Sequence, residues 1–124
     1  MTQRAGKIEA AELLEFCVAC AEEKLARDVV TMAMDSNSGI ADYFMVATAD
    51  SEPQLNAVAG FVERSVRERY GLRSMSRNSN TFHGGWILLD FGTVVVHVMT
   101  EEIRNRYDLE SLGGEVAAAS QRGE

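Results

Sequence analysis

No run of apolar residues in this 124-residue chain approaches the roughly twenty needed to span a bilayer. The opening MTQRAGK lacks the apolar stretch of a secretory signal as well. Together these absences set the expectation of a cytoplasmic protein with no membrane partner. Cations are also scarce, since 12 Lys and Arg face 19 Asp and Glu, for a net charge of −7. Lysine occurs only at positions 7 and 24, and Arg64, Arg67, Arg69, Arg73 and Arg77 are spread among acids and apolar residues. A surface of this sign repels phosphates, because gripping them requires clustered Lys and Arg to displace condensed counterions. No direct nucleic-acid partner is expected, and a basic protein is the natural complement. Cysteine is limited to Cys17 and Cys20, spaced C-V-A-C. Structural zinc needs four ligands, and neither a second C-x-x-C nor an H-x-x-x-H is present. A thioredoxin-like redox pair opens a helix after a strand, whereas this pair falls inside a helical pattern, so both thiols read as small core residues.

What remains is ordinary globular composition, 46% hydrophobic and 25% charged, in a length that suits one domain. The domain is expected over 8–112, between a flexible N-terminus at 1–7 and a disordered tail at 113–124, where GGEVAAASQRGE has little to bury. Residues 8–26 read as a helix, with Leu14, Cys17, Val18, Ala21 and Leu25 on one face. VVTMAMD at 29–35 reads as a strand before the turn Asp35-Ser36-Asn37-Ser38-Gly39, and 43–48 as a second strand. Ser51, Pro53 and Gln54 mark a helix start. A stripe of Leu55, Val58, Ala59, Val62, Val66 and Tyr70 follows, and Gly71 ends it. LRSMSR at 72–77 reads as a short strand, and 78–84 as a polar loop. Strands at 85–90 and 93–99 are nearly all apolar, which predicts central positions in a sheet. A last helix spans 101–107, capped by Thr100. The order α-β-β-α-β-β-β-α predicts an α/β (α+β) fold, a mixed five-stranded sheet with flanking helices.

Asp90-Phe91-Gly92 matches the metal loop of protein kinases, but the glycine-rich loop, strand lysine and H-R-D loop that give it meaning are missing. The triplet reads instead as a hairpin bend. Gly92 supplies positive φ, Asp90 bonds the turn backbone, and Asp90 and Phe91 face outward. Asp35, Asp42 and Asp90 are candidates for a Mg²⁺ cluster, yet the phosphate-cradling Gly-Ser turn and paired acids of a nucleotidyl-transfer enzyme are not found. Turn-forming aspartates are the better account. His97 sits in an apolar strand as a hydrogen-bonded core histidine, and His83 in a polar loop. No Ser or Cys stands in a nucleophile setting, and no cofactor site is legible.

Longer segments carry more. SGIADYFMVATADSEPQLNAVAGFVE, GGWILLDFGTVVVHVM and EIRNRYDLESLGG together resemble the ribosomal silencing factor family, also called Iojap-like. The resemblance covers about 8–114 and is most specific at Ala41–Phe44, at Trp86 with Leu88-Leu89-Asp90, and at Val94–Val98. Arg104 with Tyr107–Glu110 continues it. It implies a topology related to nucleotidyltransferases without their catalytic residues, and a homodimer that is not an enzyme and needs no cofactor. It implies binding to the large ribosomal subunit at ribosomal protein number fourteen, on the face that joins the small subunit. Translation would thereby be repressed under nutrient limitation. The alternatives are a Mg²⁺-dependent nucleotide enzyme and a large-subunit assembly factor. Carried over by position, the site residues for ribosomal-protein or dimer contact are Asp42, Tyr43, Trp86, Asp90, Phe91, Gly92, His97, Arg104, Tyr107 and Glu110. Trp86 suits an interface anchor, and Arg104 with Glu110 an ion pair on the last helix. The chain departs from the family pattern at Ala49, Phe91, Thr93 and Gly113, where the family has a glycine, a tyrosine, an aspartate and a tryptophan.

Overall fold

The computed structural model describes residues 9–34, 41–75 and 85–107. The expectations for the two termini, for the 35–39 turn and for the 78–84 loop lie outside them. Along the chain the elements are α1 (Ala10–Glu23), β1 (Arg27–Ala33), β2 (Tyr43–Ala49) and α2 (Glu52–Tyr70). They are followed by β3 (Trp86–Asp90), β4 (Val94–Thr100) and α3 (Glu101–Tyr107). Among the described residues the mixed sheet has four strands in the order β1-β2-β4-β3, with β2 and β4 parallel and both outer pairs antiparallel. No helix among the described residues is long and apolar enough to cross a membrane.

Helix α2 forms for local reasons. Ser51 Oγ accepts from the Gln54 N–H at 3.2 Å, Gln54 Oε1 accepts from the Asp50 N–H at 2.6 Å, and Pro53 sits in the first turn. Gly71, at φ +69°, closes the other end by donating to Arg67 O. Helix α1 stops at Glu23, short of the expected 26, and Leu25 stands 75% exposed with φ +68° rather than on the buried stripe. Its place at that end is taken by polar ties, since Gln54 Nε2 donates to the carbonyls of Lys24 and Leu25. Cys17 and Cys20 are buried in this layer, and burial pushes the Cys17 thiol up to about 12, so neither is a poised nucleophile.

The two faces of the sheet are covered differently. Met45, Ala47, Ile87, Leu89, Val94, Val96 and Val98 pack under α1 and α2. Val30, Met32, Phe44, Val46, Val95 and Met99 form a second cluster on the opposite face, joined by Ile103 of α3. Two sequence expectations need correction. Of the strand expected at 72–77, Leu72–Met75 is not a strand and makes, among the described residues, one ladder-like bond to the sheet, Met75 N–H to Asp90 O at 2.7 Å, while 76–77 lie outside them. The central pair is β2 with β4, whereas among the described residues β3 lies at the edge, with Ile87 and Leu89 buried and Trp86, Leu88 and Asp90 half-buried. Apolar residues on its outer face hid the period-2 alternation that marks an edge.

Gly85 shows how tightly α3 closes on this frame. Its carbonyl accepts from Thr100 N–H, and an added Cβ would stand 2.8 Å from Ile103 Cγ1 and from Thr100 Oγ1. Both neighbours are β-branched and held by their own elements. Gly85→Ala should therefore cost ~1–3 kcal/mol, the usual penalty for overpacking. Urea unfolding checks this, and an unchanged midpoint would mean that α3 yields freely.

Candidate functional site

The hairpin between β3 and β4 turns on Gly92 and Thr93. Phe91 N–H donates to Val94 O, Gly92 lies at φ +92°, and its N–H donates to Asp90 Oδ1 at 2.9 Å. Asp90 and Gly92 thus act as expected, as a bend. Phe91 does not face outward. It is 4% exposed, because it stands at the base of the turn, one residue past the last ladder pair Asp90–Val95, and shares the helix-side face with Ile87 and Leu89.

The same turn is stitched to β2. Thr93 O accepts from the N–H groups of Asp42 and Tyr43 at 2.9 and 3.0 Å. Asp42, Tyr43, Asp90 and Gly92 are thereby gathered at one end of the sheet. An open cleft of about 420 Å³ lies at this end, lined by Glu9, Ala10, Ala11, Ala33, Met34, Asp42 and Tyr43. Two carboxylates on its rim and a half-buried Tyr43 make it receptive to a cationic side chain. Among the described residues, no three His, Cys, Asp or Glu side chains group as a metal site, and Asp35 lies outside them.

Trp86 and His97 meet on the sheet face opposite the long helices. They are diagonal neighbours, since Trp86 pairs with Met99 and His97 with Leu88. The indole Nε1–H donates to His97 Nδ1 at 3.1 Å. The imidazole is 3% exposed and stacks at a tilt on Phe44, with ring centroids 4.7 Å apart. Burial alone lowers its pKa to about 4. The core-histidine expectation holds, and its bond to the only tryptophan in the chain is what the sequence reading missed. The hairpin register was the available signal, because a two-residue turn at Gly92-Thr93 puts both residues on one face.

At the far end of β4, roughly 20 Å from the turn at the usual rise per residue, Arg104 Nη1 donates to Asp28 O at 2.6 Å and to Thr48 Oγ1 at 2.7 Å. Asp28 adopts φ +51° beside an irregularity in the β1–β2 register. Arg104 therefore ties α3 to β1 and β2. Nearby, Arg27 binds Asp50, Asp28 and Glu101, and the Asp50 carboxylate does most to raise its pKa. Tyr107 ends α3, while Glu110 and its pairing with Arg104 lie outside the described residues. The described ones among the ten sequence-derived positions do not converge. Four gather at the hairpin end, Phe91 is core, Trp86 and His97 pair on the sheet face, and Arg104 holds the other end.

A family model described as ribosomal silencing factor during starvation (RsfS) matches residues 7–122. The chain belongs to that family. It is 34% identical over 112 residues to the ribosomal silencing factor RsfS of Halalkalibacterium halodurans, covering 90% of this chain and 94% of that one. A crystal structure of a Chromobacterium violaceum protein superposes with a TM-score of 0.78 at 30% identity, covering 86% and 88% of the two chains. A mouse protein named mitochondrial assembly of ribosomal large subunit protein 1 is 25% identical over 103 residues, which span 80% of this RsfS-family chain and 44% of the mouse protein.

Proposed function

We propose that this protein silences ribosomes by binding, without catalysis. It docks on the large subunit through ribosomal protein number fourteen, on the face that meets the small subunit, and so blocks joining when nutrients are scarce. Family membership over nearly the whole chain carries the reading. The net charge of −7 and the acid-rimmed cleft suit a basic ribosomal protein. Half-buried Trp86, on β3, is the anchor of the contact, and Asp42, Tyr43, Asp90 and Gly92 offer a second patch at the hairpin end of the sheet. The working form is a cytoplasmic homodimer, on a topology related to nucleotidyltransferases. An enzyme reading has little support, because the Asp90 carboxylate is engaged by the turn. A second reading, assembly of the large subunit, is favoured by the name of the mouse relative, and would use the same surface.

Co-sedimentation with separated subunits and with joined ribosomes tests the proposal. The protein should pellet with the large subunit and poorly with joined particles. Trp86→Ala should weaken the interaction at least tenfold, about what truncating an interface hot spot costs. Equal pelleting with both particles, or with neither, would overturn it.

A further inference from the structure

Trp86 is half-exposed on the sheet edge, yet its polar atom points inward to a histidine on the central strand. An indole N–H is only a donor, so His97 Nδ1 must offer a lone pair and the neutral ring must carry its proton on Nε2. That Nε2 is buried with no hydrogen-bond partner. An unsatisfied buried donor is a standing cost, which an apolar ring of the same shape would avoid. Phe44 already stacks on the ring face and would do so against phenylalanine as well. Packing therefore explains the ring but not the nitrogen. The use the geometry gives the other nitrogen, Nδ1, is to hold the indole.

We propose that His97 is the positioning residue for Trp86, its neutral imidazole fixing the indole in one pose for the protein partner. The partner half of this inference rests on the function proposed above. The physical gain is pre-organisation. The outer torsion of a tryptophan side chain is broad, and freezing it during binding costs affinity that a pre-set pose retains. Met99, opposite Trp86 in the ladder, and Leu88, opposite His97, supply apolar walls, and the N–H···N bond gives the indole a directional tie to the central strand.

Two variants separate acceptor from filler. His97→Phe keeps the ring and removes the acceptor, while His97→Asn gives up volume but keeps an acceptor, Oδ1, where Nδ1 stands. If His97 positions Trp86, His97→Phe should shift the emission and lower the anisotropy of the sole tryptophan. It should also bind isolated large subunits about tenfold more weakly. His97→Asn should recover most of both. The opposite ranking, with phenylalanine like wild type and asparagine impaired, would make His97 a packing residue and overturn the inference.

A measurement on the unaltered protein guards against variants that fail to fold. Nitrogen-15 spectra of His97 should show Nδ1 as the unprotonated, pyridine-type nitrogen and Nε2 as the protonated one. The indole N–H should exchange slowly with water. A protonated Nδ1 would overturn the inference outright. Should wild type itself not bind large subunits, the proposed function falls and the partner half of this inference with it. The spectra would still decide whether His97 orients Trp86.

Discussion

Truncating Phe91 to alanine should cost ~3–5 kcal/mol of folding stability, the range for deleting a buried phenylalanine ring. The ring is 4% exposed and packs in the core beneath α1 and α2, beside Leu89, Val94 and Val96. Alternation past Asp90, the last residue of the ladder, puts it on the helix side, and its N–H bond to Val94 O holds it there at the base of the turn. A domain of this size is stable by ~5–15 kcal/mol, so the variant would lie near the edge of folding at room temperature. Urea titration should show a lower midpoint with an unchanged slope. If Phe91 were instead a surface residue of the ribosomal contact, stability would barely move while large-subunit binding fell. An unaltered midpoint would refute the core assignment.

Acid should destabilise the protein through His97. Burial holds its folded pKa at about 4, below the ordinary value of 6.5. Between those values the unfolded chain binds a proton that the folded one refuses, so unfolding is favoured as pH falls. The sign is therefore fixed: the contribution is complete above about pH 6.5, declines through the window, and levels off below about pH 4. At ~1.4 kcal/mol per pKa unit the loss amounts to ~3 kcal/mol. The surroundings offer no relief. Trp86 contributes a donor that would oppose a protonated Nδ1, and Arg104, which α3 brings to Thr48 on this face, is itself a cation. Unfolding free energies measured at intervals from pH 7 to pH 4 should fall accordingly in wild type and much less in His97→Phe. Parallel profiles for the two proteins would count against the assignment.

How much of this was legible beforehand depended on how far each signal travels along the chain. Helix α2 was legible from end to end, because Ser51, Pro53, Gln54 and Gly71 act within one turn of where they stand. The Asp90–Gly92 bend was local too. Strand order was not, since nothing near Trp86 says that β3 is an edge while Tyr43–Ala49 lies at the centre. The direction of Phe91 needed the register, which slips a side chain to the other face for every residue of error. The contacts of Arg104 with Asp28 and Thr48 span 76 and 56 residues, beyond any spacing rule. For the same reason the candidate positions, adjacent as motifs, separate in space into a turn, a core ring, a pair on the sheet face and a tie at the far end.

The strand order also dictates how such a chain can assemble. Each outer strand pairs antiparallel with a near neighbour in sequence, β1 with β2 and β3 with β4, and each pair can form as a local event. Only the parallel seam between β2 and β4 is remote, joining Tyr43–Ala49 to Val94–Thr100 across all of α2. Closing that seam carries the loop entropy that slows folding of non-local topologies. Until it closes, the Asp42 and Tyr43 amides have no Thr93 carbonyl to reach. The hairpin end of the molecule is therefore completed only in the step that joins its two halves.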